Sequence, residues 1–216
     1  MAAIPNAKTG LIKRLYYTEE FSAKKIAEHL NVSLDAVYYF MRCHGLKRRS
    51  FSEDSRLRFE RKKPSFTIKK RLLQGEEYLK ITGTMLYWCE GYKSEKGSIV
   101  DFANSDPVMV RFFVSFLRRI CGVYEKKLKV LLYCYANQNV PSLIHFWSEC
   151  ADIPKEQFSK PYIRKDFDIK KKNKMPYGMV HIRYGDKKLL LLIKEWIKEY
   201  KESLTTRVGS EAVKRV

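Results

Sequence analysis

The sequence predicts an α+β protein: a small three-helix unit at the amino end, a charged connection, then a larger region of helices and strands built around an antiparallel sheet. Three observations predict it. Two short helical patterns with almost nothing between them lie in the stretch "FSAKKIAEHLNVSLDAVYYFMRCHGLKRR". From residue 76 to about 201 the apolar residues switch repeatedly between a helical period and strict alternation. The helical segments of that region suffice to cover one side of the sheet, so its other face is expected to carry no helices of its own.

A chain of 216 residues with 45% apolar content can bury a real core as one domain with an appendage or as two small domains. Lysine and arginine total 43 against 24 acids, a formal charge of +19, which favours a polyanionic partner, nucleic acid before an anionic membrane surface. The longest apolar runs, such as "KLLLLIKEW" from Lys188, fall well short of the roughly 20 residues a bilayer span requires, so no membrane segment is expected. The amino end lacks the basic, apolar and small-residue succession of a signal peptide, and a cytoplasmic, nucleoid-associated location is expected. Five widely separated cysteines without a CxxC pair read as reduced and mostly buried thiols, against a disulfide framework or structural zinc.

The elements of the first unit follow in order. Leu11, Ile12 and Leu15 mark a first helix. Ser22 can cap a second, with Ile26, Ala27 and Leu30 inward, and Ser33 a third, with Val37 and Phe40 inward. Between them Asn31 can enter the left-handed region at modest cost, which a tight turn between crossed helices needs, and Ala27 is small where the helices approach. The stretch "IAEHLNVSLDAVYYF" resembles the helix-turn-helix of bacterial repressors and recombinases, with Asn31 where glycine is usual. That resemblance implies a third helix lying in a DNA major groove, with Ser33, Leu34, Asp35, Tyr38, Tyr39 and Arg42 meeting bases or phosphates. The alternative is a plain helical hairpin whose tyrosines pack on the rest of the chain.

"KRRSFSEDSRLRFERKKP", residues 47 to 64, is crowded with charge and poor in core residues, and reads as linker. Lys47, Arg48 and Arg49 follow the third helix directly and suit phosphate or a minor groove, with solvated linker charge as the alternative. The expected organisation is thus residues 1–49 helix-turn-helix, 50–75 basic linker, 76–201 the larger domain and 202–216 a flexible tail.

In the larger region Leu79 to Trp88 reads as a helix buried on most sides and ended by Gly91, followed by the strand "SIVDFA". In "NSDPVMVRFFVSFLRRICG", Ser105 or Asp106 caps, Pro107 takes the first turn, and Met109, Phe112, Phe113, Phe116, Leu117 and Ile120 form a broad apolar face. "KLKVLLYCYA" alternates, with Val130, Leu132 and Cys134 opposite Lys129, Leu131, Tyr133 and Tyr135. A helix over "VPSLIHFWSECADIP" comes next, then strands "KPYIRK" and "GMVHIRYG", and a last helix from Lys187 to Tyr200. On the free face this places Lys129, Tyr133, Lys160, Tyr162, Arg164, His181 and Arg183, cations for phosphate and guanine edges with rings between them. Antiparallel sheets often expose a polar side with no partner at all, but this face reads as nearly all positive. The run "KKKNK" from Lys170 adds a basic loop between the last two strands.

"GTMLYWCEGYK" followed by "VDFANSDPVMVRFFVSFLRRICGV" resembles the LAGLIDADG family of homing endonucleases, and "FWSECADIPKEQFSKPYIRK" with "PYGMVHIRY" fits that family's second half. The resemblance spans about residues 79 to 201 and implies an antiparallel sheet saddle backed by helices, with double-stranded DNA as partner. LAGLIDADG-derived bacterial regulators join such a domain to a helix-turn-helix and bind DNA, for which no cofactor is required. In the cutting members, the last acid of the signature helix helps hold a divalent metal, and Glu90 falls on that position with Gly91 following. With one signature copy, such a site implies a homodimer through the 79–91 helix and Mg²⁺ as cofactor. Glu90 would then be both catalytic residue and metal ligand. A carboxylate at a helix carboxyl end is otherwise disfavoured by the helix dipole, unless Lys93 or Lys96 neutralises it. Met85 and Cys89 stand where the family has glycine and alanine.

Overall fold

The computed structural model describes residues 4–164 and 175–213. The chain divides into two compact units, Met1–Lys63 and Pro64–Val216.

In the first unit, α1 (Thr9–Lys13) runs on into a wider, π-type turn over Arg14–Thr18, and α2 (Ala23–Leu30) and α3 (Leu34–Cys43) follow. The Ser22 hydroxyl accepts from the Lys25 N–H and the Ser33 hydroxyl from the Ala36 N–H, both at 3.1 Å, so each helix begins where a side-chain acceptor satisfies a free donor. Asn31 sits at φ 53°, ψ 46°, and its left-handed turn lets the Val32 N–H reach the Ala27 carbonyl at 3.0 Å. Ile12, Leu15, Tyr16, Ile26, Ala27, Val37, Phe40, Met41 and Leu46 share one core.

The stretch expected as linker is structured on both sides of the unit boundary. Residues Phe51–Arg61 form α4, whose start is a reciprocal cap: the Ser50 hydroxyl accepts from the Glu53 N–H, and the Glu53 carboxylate accepts from the Ser50 N–H at 2.6 Å. Leu57 is buried, and Arg61 Nη2 donates to the Glu19 carbonyl at 2.9 Å, fastening α4 within the first unit. Residues 64–73 belong to the second unit, where the Thr67 N–H donates to Gly122 and the Lys69 N–H to Ile120, both at 3.0 Å. Gly122 has φ +54°, and a Cβ there would strike the Thr67 carbonyl, so a side chain at this point would push the segment off.

The second unit continues with α5 (Gln74–Glu90), β1 (Val100–Asn104), α6 (Pro107–Arg119), β2 (Leu128–Tyr135), α7 (Val140–Ala151), β3 (Tyr162–Arg164), β4 (Met179–Tyr184) and α8 (Lys187–Val213). Strand order is β1-β4-β2-β3. β4 is antiparallel to both β1 and β2, but β3 runs parallel to β2, so the sheet is mixed rather than antiparallel. The reason is the connection: α7 lies between β2 and β3, and a helical crossover returns the chain in the same direction. Val100, Phe102, Leu128, Val130, Leu132, Val180, Ile182 and Tyr184 point from the sheet into a core shared with Tyr87, Phe113, Phe116, Leu117, Trp147, Leu190 and Ile193 of the helices. Among the described residues, α5, α6, α7 and α8 thus all contribute to one side of the sheet.

Further expectations need correction. Asp106 caps α6, with Oδ1 accepting from the Val108 N–H at 2.7 Å, but its apolar face is only partly covered: Met109 and Phe112 stay exposed, as does Val108. β3 is too short to include Lys160, because the register with β2 slips by one residue between Phe158, opposite Val130, and Tyr162, opposite Tyr133. The last helix continues past Tyr200 to Val213, supported by a Lys198–Glu202 pair at 3.8 Å and by Thr205 bonding back to the Lys201 carbonyl. Cys121 and Cys134 are buried, whereas Cys43 and Cys89 are exposed. Among the described residues, no helix is long and apolar enough to cross a membrane. The "KKKNK" run lies outside the described residues.

Candidate nucleic-acid interface

On the first unit the candidate surface is α3 with the chain that follows it. Capping fixes the start of α3 and burial of Val37, Phe40 and Met41 fixes its rotation, so the opposite side is presented outward. Tyr39 is 62% exposed, Leu34, Asp35 and Arg42 are exposed, and Tyr38 is half-buried. The Arg42 guanidinium lies 5.4 Å from the Tyr39 ring and that of Arg48 only 4.0 Å from the Tyr38 ring, so each arginine is held over a ring face with its N–H edge available to an acceptor. Asp35, Tyr38, Tyr39, Arg42, Leu46 and Arg48 line one open concavity. Ser33 lies at the same helix start, its hydroxyl engaged as cap. Lys47 is exposed, and its carbonyl accepts from the Tyr17 hydroxyl at 2.7 Å.

Arg49 does not join this surface. Its side chain is 12% exposed, donates to the carbonyls of Tyr16 at 3.0 Å and Phe21 at 2.5 Å and to the Asp54 carboxylate at 3.0 Å, and lies 4.1 Å from the Tyr16 ring. It braces the turn after α1 against α4, supplying donors to carbonyls left without helical partners. Neighbouring positions in the sequence therefore take different roles.

On the second unit the candidate surface is the sheet face opposite the core. Strand register arranges it in rows: Asp101, Arg183 and Lys129; then Ala103, His181 and Leu131; then Met179, Tyr133 and Tyr162. Tyr133 is packed between Tyr162 and His181, with ring centroids 4.8 and 4.7 Å away. Arg164 pairs in register with Tyr135, 5.9 Å from its ring. Lys160 is exposed in the segment before β3.

The sequence reading missed Asp101, and the face is less uniformly positive than expected. Asp101 Oδ1 lies 2.8 Å from His181 Nδ1 and Oδ2 accepts from Arg183 Nε at 2.8 Å. Burial pushes this carboxyl up, but the hydrogen bond and charge of His181, together with the Arg183 guanidinium, hold it below the usual carboxylate range. The signal was present: in "VDFAN", inward Val100 and Phe102 force Asp101 to the free face. Leu131, expected on this side, and Met179, which the sequence reading did not place, give the face apolar ground between its charges.

Glu90 is exposed at the end of α5. The electrostatic problem at that helix end is met by Lys93, whose Nζ donates to the Trp88 carbonyl at 2.6 Å and lies 3.4 Å from that of Cys89. Gly91 is extended rather than left-handed, at φ −80°, ψ 150°, and is tight for another reason: a Cβ would strike the ring and carbonyl of Tyr87. Among the described residues, no three His, Cys, Asp or Glu side chains gather as a metal site. A hard divalent cation takes about six oxygens. The single carboxylate of Glu90, with an ammonium group on the same helix end, therefore does not fit Mg²⁺ within one chain.

Comparison with protein-family models, with curated proteins and with solved structures returned no match for this chain.

Proposed function

We propose that this protein is a sequence-specific double-stranded DNA-binding regulator, a helix-turn-helix joined to a LAGLIDADG-like domain and acting on DNA in the cytoplasm. The observation that carries the reading is the outward side of α3: Tyr39 and Arg42 exposed on a helix whose start and rotation are fixed, in a chain of charge +19. The free sheet face supports a second contact, with Lys129, Lys160 and Arg164 toward phosphates and the Tyr133 cluster between the cations. A groove-reading helix and a basic pleated face are both suited to a duplex, and neither needs a cofactor to bind one.

The alternative, a Mg²⁺-dependent homodimeric endonuclease, is favoured by one observation: Glu90 is exposed at the end of the helix that would meet its copy. A dimer through the 79–91 helix would also cover Ile81, 43% exposed. One experiment separates the readings. Duplexes are selected from a random pool, and the winners are incubated with Mg²⁺ and the protein. The regulator reading expects an enriched sequence that stays intact, with binding indifferent to Mg²⁺ and to Glu90→Gln. Breaks that vanish with either change would replace it by the endonuclease, and selection of no sequence would defeat both.

A further inference from the structure

Asp101 is the one carboxylate among the described strand residues of the free sheet face, and its side chain is 12% exposed. A negative charge there lowers the attraction of the face for phosphate, so general affinity for a polyanion gives no reason for it. Its contacts give one. Arg183 is held through Nε, at 2.8 Å, and keeps both Nη groups without another partner among the described residues, on a side chain 32% exposed. A guanidinium fixed in that way presents its fork with little rotamer freedom left to lose on binding. The O6 and N7 atoms of guanine in the major groove form the pair of acceptors that such a fork matches. His181, held through Nδ1 and packed on Tyr133, walls one side of the arginine's place, while Lys129, exposed in the same row, stays available for phosphate.

We propose that Asp101 is a positioning residue that makes Arg183 a reader of guanine in double-stranded DNA instead of a general phosphate contact. This rests on the DNA-binding reading above. Three forms of the full chain, wild type, Arg183→Lys and Asp101→Ala, are put through selection from a random duplex pool, with affinity for random-sequence duplex measured alongside. Wild type should prefer guanine at one position of its site by about tenfold. Arg183→Lys keeps the charge and the reach to Asp101 but loses the planar fork: guanine preference should fall at least about threefold there, with random-duplex affinity within about threefold. Asp101→Ala should lose the same preference while random-duplex affinity rises, because a negative charge has gone. A merely structural Asp101 would lower both affinities together. Guanine preference undiminished in Arg183→Lys overturns the inference, even should Asp101→Ala fail to fold. Wild-type selection of a site without such a guanine overturns the inference alone, and failure of wild type to select any duplex overturns the DNA reading with it.

Discussion

Two adjacent arginines, Arg48 and Arg49, each lie against a tyrosine ring but differ in what their N–H groups meet. Arg48 lies over the half-buried Tyr38, while Arg49 joins two backbone carbonyls and the Asp54 carboxylate. Removing Arg49 leaves those carbonyls unsatisfied in a part-buried place, and hydrogen bonds of a charged donor contribute about 1.5–3 kcal/mol each before relaxation. Arg49→Ala is therefore expected to destabilise the first unit by about 2 kcal/mol, and Arg49→Lys, lacking the fork, to recover little of it. Thermal unfolding checks this, and a melting midpoint equal to wild type would return Arg49 to the surface. The caps Ser22 and Ser33 and the turn residue Asn31 are legible in the sequence because their physics is local, within three residues of each group. Arg49 is not legible, because its partners at Tyr16 and Phe21 lie 33 and 28 residues away. Asp101 falls between: alternation reveals its side of the strand, but only the pairing of β1 with β4 reveals its partners.

Among the elements, the order of helices and strands is readable from period, and the direction of β3 is not, since a three-residue strand carries no signal for which neighbour it joins. The supposed linker misleads for a related reason. Charge hides Leu57 and the Ser50–Glu53 cap, and the extended run 64–73 has its partners in distant parts of the second unit. One of those partners is Asp186, which accepts from the Ser65 N–H at 2.9 Å, the Ser65 hydroxyl at 2.7 Å and the Lys188 N–H at 2.9 Å, joining this run to the start of α8. Burial pushes the Asp186 carboxyl up, but the bonds from Ser65, Lys188 and Leu189 outweigh it and hold it below the usual range. A carboxyl depressed in the folded state binds its proton more readily when unfolded. Its contribution is therefore fully present above the unfolded value, near 4, and is lost as pH falls through the folded one. Asp186→Asn should cost about 1 kcal/mol at pH 7, because a neutral amide oxygen accepts more weakly from Ser65 and Lys188 than a carboxylate does, and should flatten the decline in stability below about pH 4. Urea unfolding at several pH values checks it, and an unchanged acid slope would assign that decline to other groups.

For the whole molecule, a charge of +19 favours a polyanion without naming one, and a purely charge-driven binder would treat DNA, RNA and an anionic bilayer alike. What separates a regulator from such a binder is division of labour between the outward side of α3 and the free sheet face. If the sheet meets phosphates through Lys129 and Arg164, their joint replacement by Ala removes two contacts. Each phosphate contact contributes about 0.9 to the slope of log affinity against log salt. That slope should become shallower by about 2, with affinity lost equally on every duplex and the ranking of sequences unchanged. If α3 reads bases, replacing Tyr39 and Arg42 should compress the ranking more than it lowers affinity for random duplex. Salt titrations of the two double variants on preferred and random duplex therefore test the units separately within the intact chain. Equal losses on both duplexes from both variants would mean that neither surface reads sequence, and the protein would be a charge-driven binder of nucleic acid or membrane surface.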